Sequence, residues 1–192
     1  EATPNTDGDN NDNGLDTAVA GAIRSGTVTL GTGNSEPINE ADLGPGGQGT
    51  VPDARGNMTV DFGFYSAYSL GNRVWLDTDN SGTINGAEVG IANVVVNLLD
   101  TAGNPVDNPN LVGTQNYTAT TDATGYYRFD NLSQGDYIVE IVAANFTGAN
   151  PLSGFTNSTG AGQEANPNTD GDSNDNGLDT PVAGAIRSDI VT

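Results

Sequence analysis

Twenty-nine residues occur twice in this chain. Residues 1–29, EATPNTDGDNNDNGLDTAVAGAIRSGTVT, return as residues 164–192, EANPNTDGDSNDNGLDTPVAGAIRSDIVT, with 24 of 29 positions identical. A repeat constrains architecture before any local signal does, because each period must bury its own apolar surface or share it with the next. An offset of 163 residues is far longer than a solenoid unit and matches a whole domain with its own core. The 192 residues therefore read as one period plus the first 29 of the next. The expected parent is a string of near-identical domains, of which this chain is a piece or a processed product.

The ionisable inventory removes most catalytic chemistry. Acidic residues number 25 against five basic ones, for a net charge of −20, and the five are all arginines: Arg24, Arg55, Arg73, Arg128 and Arg187. Lysine, histidine and cysteine are absent. Disulfides, thiolate nucleophiles, Schiff-base lysines, serine–histidine triads and Cys/His zinc sites are thereby excluded. A phosphate backbone would be repelled, so nucleic acid is not an expected partner. The metal ligands that remain are hard oxygens, which suit calcium or magnesium. A hydrolase working through a carboxylate pair is compatible with the residues, but nothing marks a substrate cleft, and no enzyme is expected.

An acidic, polar composition can signal disorder, but the local patterns point to strands. Met58-Thr59-Val60-Asp61-Phe62-Gly63-Phe64 alternates apolar and polar residues with period two, as a half-buried strand does. Arg73–Leu76, Asn93–Leu99, Tyr126–Phe129 and Tyr137–Val142 are further strand candidates, and the Val-Ala-Gly-Ala-Ile-Arg-Ser segments at 19–25 and 182–188 are weaker ones. Gly, Asn, Asp and Pro punctuate these runs. Many short strands with polar turns and no long amphipathic helix predict an all-β sandwich. Nothing approaches the ~20 apolar residues that span a bilayer. Two long glycine-rich loops, roughly 31–56 and 144–181, call for a structural reason such as a bound ion. Residues 65–69 are the expected junction, with domains over 1–66 and 67–192.

The sharpest motif is Asp77-Thr78-Asp79-Asn80-Ser81-Gly82-Thr83-Ile84-Asn85-Gly86-Ala87-Glu88. It matches the twelve-residue calcium loop position by position. Asp77, Asp79, Ser81 and Asn85 supply side-chain oxygens, Thr83 a carbonyl, Gly82 the sharp turn, and Glu88 two closing oxygens. The flanks read as strands, so the loop chemistry is expected without the two helices of an EF-hand. Calcium is preferred to magnesium because a many-ligand loop suits the larger ion. A second acidic motif occurs in each repeat: Asp7, Asp9, Asn11, Asp12, Asn13 and Asp16, then Asp170, Asp172, Asn174, Asp175, Asn176 and Asp179. Four carboxylates within about ten residues repel unless a cation sits among them, so these too are expected calcium ligands. Glu36, Glu40, Asp42 and Asp53 form a looser group without defining spacing. Asp122 reads as a turn former, Arg24 and Arg187 as partners of a neighbouring carboxylate, and Trp75 as core beneath the calcium loop. The Asn-x-Ser/Thr sequons at Asn57, Asn116, Asn131, Asn145 and Asn157 permit glycosylation without implying it.

In order, Gly71–Asp77, the acidic loop to Glu88, Gly90–Leu98, Thr121–Phe129 and Leu132–Tyr137 resemble the SdrD B-like domain family of bacterial surface proteins. Asn57–Tyr65 resembles the last strand of the same domain. The resemblance implies an immunoglobulin-like sandwich of prealbumin or CNA-B type, arranged in tandem, binding calcium and serving as an extracellular, cell-surface stalk. In that family the strand resembling Asn57–Tyr65 closes the domain that the Gly71–Leu76 strand opens, whereas here it comes first. Residues 1–66 then read as the C-terminal part of one repeat and 67–192 as the N-terminal and central part of the next. Some relatives carry Lys–Asn cross-links, which a chain without lysine cannot form. The expected function is a calcium-rigidified structural repeat of a surface stalk or fibre. The alternatives are an adhesive, ligand-binding module and a filament subunit that donates a strand to its neighbour. The expected partners are neighbouring repeats, in the same chain or in a self-assembled filament.

Overall fold

A computed structural model describes residues 12–15, 21–33, 35–40, 43–47, 49–111, 113–169 and 173–192. The chain divides into two compact units, Glu1–Tyr65 and Ser66–Thr192.

The second unit is built on β-branched and leucine residues at alternating positions. Strands β1 (Tyr68–Arg73), β2 (Val95–Leu99), β3 (Thr118–Thr120), β4 (Tyr126–Leu132), β5 (Ile138–Ile141) and β6 (Ile186–Arg187) follow in chain order. They form two antiparallel sheets, β1-β4 and β3-β2-β5-β6. In β2, Val96 and Leu98 turn inward while Val95 faces out, the period-two pattern of a pleated strand. Its pairing with β5 sets Val96 opposite Ile141 and Leu98 opposite Val139. Phe129 and Leu132 of β4 meet Val94, Val96, Leu98, Tyr117, Val139 and Leu152 in one core. This is the all-β sandwich that the sequence patterns predict.

Phe129 is fully buried and touches Tyr117 edge-to-face, with ring centroids 5.0 Å apart. The Tyr117 hydroxyl donates to the Asp130 carbonyl at 2.8 Å and accepts from the Asp130 amide at 2.7 Å, so the aromatic pair also ties β4 to the strand before it. Phe129→Ala therefore destabilises the second unit by about 3–5 kcal/mol, measurable by urea denaturation. Asn145, one of the sequon asparagines, is buried, and its amide bridges the Val95 N–H and C=O. That places it inside the sandwich as a backbone clamp.

Strand boundaries differ from the sequence expectation where turns intervene. β1 begins at Tyr68, inside the expected junction, and ends at Arg73. Beyond it, Val74 is held by Gly125 and Ile91, and Leu76 by Val89, through single backbone bonds. β4 continues beyond the expected Phe129 to Leu132. β3 lies in a Thr-rich segment with too little alternation to announce itself.

In the first unit, Gly14 bridges Ser25 antiparallel and Asp12 bridges Asp61 in parallel. The segment over Met58–Phe64 is extended, and among the described residues it bridges through Asp61. Its polar side faces inward: Thr59 is fully buried, while Met58, Phe62 and Phe64 are 39%, 45% and 80% exposed. The expected alternation is present, but Thr59 and not an aromatic side chain is its fully buried residue. Among the described residues no helix is long and apolar enough to cross a membrane.

Candidate metal centre

The acidic loop leaves β1 through Val74–Leu76 and folds back on itself at Gly82. Gly82 adopts φ +79°, and a Cβ there would strike the backbone of Gly162 and Gln163. Gly160 is as tightly placed against the backbone of Asn80 and Ser81. Two glycine-bearing loops far apart in sequence thus pack backbone to backbone, and only glycine fits at either point.

Within the loop the oxygens converge. One carboxylate oxygen from each of Asp77, Asp79 and Glu88 lies within 4.8 Å of the other two. Asp77 accepts from the Ser81 and Gly82 amides at 3.1 and 2.9 Å. Asp79 accepts from the Ser81 amide at 3.1 Å and from the Asn85 side chain at 3.2 Å. Glu88 reaches back to accept from the Thr78 amide at 2.7 Å and the Asn85 amide at 3.1 Å. The Ser81 hydroxyl lies 3.1 Å from the Thr83 carbonyl and accepts from the Asn85 side-chain Nδ2 at 2.9 Å. The residues that the twelve-residue pattern assigns to ligand positions are joined in one hydrogen-bonded network, in which the three carboxylates converge and Asn85 meets Asp79 and Ser81 through its side-chain nitrogen. Its chemistry fits a hard divalent cation: three carboxylates, a hydroxyl, an amide side chain and a carbonyl.

The second acidic motif lies against this loop. Ile84 N–H donates to Ser173 C=O at 2.7 Å, and Asp175 N–H to Gly82 C=O at 2.9 Å. Thr83 and Asn174 form an antiparallel bridge. Asp175 and Asp179 both accept from the Gln163 side chain, and Asp179 also from Asn157. Asn176 donates to the Glu164 carbonyl at 2.7 Å. Asp170 and Asp172 lie outside the described residues, as do Asp7, Asp9, Asn11 and Asp16 of the first copy. In that first copy Asp12 accepts from the Gly14 and Gly63 amides at 2.8 and 3.2 Å, and Asn13 is fully buried against Asp61.

The two motifs differ electrostatically. At Asp77, burial works to raise the pKa, but it is outweighed by hydrogen bonds from Ser158, Gly82 and Ser81 together with Asp79, which hold it down at about 2. Asp175 is pushed up to about 6. Burial is the main cause, the Gly177 and Gln163 hydrogen bonds oppose it, and the charges of Asp179 and Asp77 add to it. Asp175 is thus a carboxylate short of compensating positive charge beside the loop's own cluster.

The sequence pattern missed the third component, the segment 157–163. Ser158 Oγ donates to Asp77, Thr159 N–H to the Asn80 side chain at 2.9 Å, and Gly162 N–H to Ser81 C=O at 2.8 Å. The signal in the sequence was the length of the 144–181 loop and its Gly160 and Gly162. Of the looser acidic group, Asp42 lies outside the described residues. Glu36 accepts from Gly31 and Asn57, Glu40 from Met58, and Asp53 from Asn39. Among the described residues these do not form a metal-type cluster. Asp122 accepts from Thr124 and Tyr126, as a turn former does, and these bonds hold its pKa down. Arg187 pairs with Glu140 of β5 at 2.7 Å. Trp75 is partly buried, and its indole nitrogen is enclosed without a hydrogen-bond partner.

Comparison with known proteins matches the SdrD B-like domain over residues 68–183. Over 94 residues, 48% of this chain, the sequence is 48% identical to serine-aspartate repeat-containing protein I of Staphylococcus saprophyticus. It is 46% identical over 85 residues, 43% of this chain, to a fibrinogen-binding protein of Staphylococcus epidermidis. Over 93 residues, 47% of this chain, it is 43% identical to serine-aspartate repeat-containing protein D of Staphylococcus aureus strain MW2. The matched stretches span 4%, 7% and 6% of those three proteins. With its sandwich, its acidic loop and more than half its length matched in order, this chain belongs to the SdrD B-like domain family of cell-surface proteins.

Proposed function

We propose that this chain is a structural repeat of a surface stalk or fibre, stiffened by calcium, with 1–66 and 67–192 as parts of successive repeats. The observation that carries the reading is the convergence of Asp77, Asp79 and Glu88 in a loop bonded to both 158–163 and 173–175. A divalent cation there neutralises carboxylates that otherwise repel. It also fastens the start of the unit to segments some 80 to 100 residues further along. Calcium would be held by Asp77, Asp79, Glu88, Ser81, Asn85 and the Thr83 carbonyl, with the second acidic motif as the adjoining site. No step of this function needs a reactive group.

Titration calorimetry of the chain with calcium tests the reading. Binding is expected at or below millimolar calcium, and Asp77→Asn combined with Glu88→Gln should weaken it at least about tenfold. Absence of binding by the parent chain at several millimolar calcium rejects the metal. A ligand-binding role is the second reading, favoured by the name of one relative, a fibrinogen-binding protein. Immobilised fibrinogen distinguishes the two, since a stalk repeat leaves it unbound.

A further inference from the structure

The repeated motif holds different things in its two copies. In the first, Leu15 N–H donates to Arg24 C=O at 2.9 Å and Gly14 N–H to the Asp12 side chain at 2.8 Å. In the second, the residues 163 positions on make the same bonds: Leu178 to Arg187 at 2.8 Å and Gly177 to Asp175 at 2.9 Å. The two copies thus share their local geometry. The first copy also holds a strand segment. Asn13 N–H donates to Asp61 C=O at 2.9 Å, Asp61 N–H donates to Asn13 Oδ1 at 3.0 Å, and Gly63 N–H donates to Asp12 Oδ1 at 3.2 Å.

In the second unit the same motif holds Gln163 and Glu164 on one side and borders a cleft on another. Asp175, Asn176 and Gly177 line a cavity of about 770 Å³, with Leu70 of β1, Ile141 of β5 and Ile186 of β6 among its apolar walls. Among the described residues the sheet on the β1 side has two strands, β1 and β4. Asn13 is fully buried beneath its strand segment, whereas its counterpart Asn176 is partly exposed. The chain thus carries a cleft edged by the strand-holding motif. It also carries a segment, Met58–Tyr65, whose Met58, Phe62, Phe64 and Tyr65 side chains are exposed.

We infer that the cleft of the second unit receives the Met58–Tyr65 segment of a second copy of this chain, in the register that sets Asp61 beside Asp175 and Asn176. The occupant is chosen by the motif itself, which holds that sequence in that register elsewhere in the same chain. Moving the segment from Asp12–Gly14 to Asp175–Gly177 gives up the bonds made at Asp12 and Asn13 for those offered by their counterparts, whose side chains also hold Gln163 and the Glu164 carbonyl. The gain is burial of the aromatic side against an apolar wall. One copy's segment and another's cleft are different surfaces, so the contact is heterologous and propagates as an open chain unless it closes into a ring. The recognition mode is strand addition.

The test is the size of the 192-residue chain in calcium-containing buffer, followed by light scattering and sedimentation over a wide concentration range. Multiples of 19.5 kDa that grow with concentration are expected. A free peptide with the sequence of residues 56–66, in excess, should cap the cleft and return the population to single chains. Phe62→Asp should weaken self-association at least about tenfold, a change of about 1.4 kcal/mol. That variant keeps its own cleft and should still bind the peptide. The peptide experiment needs no variant and stands if Phe62→Asp fails to fold. Single chains at every concentration with no peptide binding overturn the inference, whether the cleft is filled from within the chain or takes nothing. Larger species that the peptide leaves unchanged overturn it equally. Calcium binding is measured separately, so the stalk reading and this one fail independently.

Discussion

Chelation is expected to lower the melting temperature of the second unit by about 10 °C. A ligand that binds the folded state alone, at about a hundred times its dissociation constant, adds roughly 2.7 kcal/mol. For a domain of this size each kcal/mol moves the midpoint by about 3–6 °C. The structural source of the effect is local. Three carboxylate oxygens within 4.8 Å repel one another when no cation is present. The loop that carries them also anchors 158–163 and 173–175. Loss of the cation should therefore loosen the long loops before the β2–β5 ladder opens. Thermal circular dichroism with excess calcium and with excess chelator measures the shift, and hydrogen exchange locates it. Asp77→Asn with Glu88→Gln should melt at one temperature in both buffers. A parent chain that melts identically with and without chelator contradicts the calcium reading.

The second large effect belongs to Asp175. Its folded pKa of about 6 lies above the ordinary value near 3.9. The folded state therefore holds that proton more tightly than the unfolded chain does. Its contribution is fully present below about pH 4 and is lost as pH rises to and through 6. The shift of about two units corresponds to an upper figure of about 3 kcal/mol. Asp77 acts in the opposite sense. Its pKa is held at about 2, so its contribution is present above about pH 4 and lost as pH falls towards 2. From these two groups, the calcium-free unit should be most stable near pH 4 and should weaken towards neutrality. Asp175→Asn removes the charge that burial, Asp179 and Asp77 oppose. It should raise calcium-free stability at pH 7 by about 1–3 kcal/mol and flatten the decline between pH 4 and 7. Calcium should flatten the same decline in the parent chain. Urea denaturation from pH 3 to 8, with and without calcium, measures both. A destabilised Asp175→Asn variant at pH 7 would contradict this account of the charge.

The strands were legible where residues alternate over four or more positions. Val95–Leu99 and Ile138–Ile141 lie inside the segments expected from period two. Thr118–Thr120 was not legible, because three residues carry no period. The Met58–Phe64 alternation was legible as a pattern but misleading about burial. Alternation specifies that two faces differ, and the partner decides which face is covered. In its own unit the partner is Asp12–Gly14, and the polar face is the buried one.

The sequence by itself determined the period of 163 residues, the all-β class and the acidic loop Asp77–Glu88. It could do so because each is written in neighbouring residues: identical letters at a fixed offset, apolar side chains two apart, oxygens within a twelve-residue turn. Only the tertiary structure decided that Ser158, Gln163 and Asp175 join that loop, and that Asp175 is raised while Asp77 is lowered. It also decided that Asp175–Gly177 edges a cleft whereas Asp12–Gly14 holds a strand segment. These are contacts across some 50 to 100 residues of chain, made where Gly82 and Gly160 let backbones touch. Their outcome depends on desolvation and on which charges are brought together, and neither is encoded in the order of neighbouring residues.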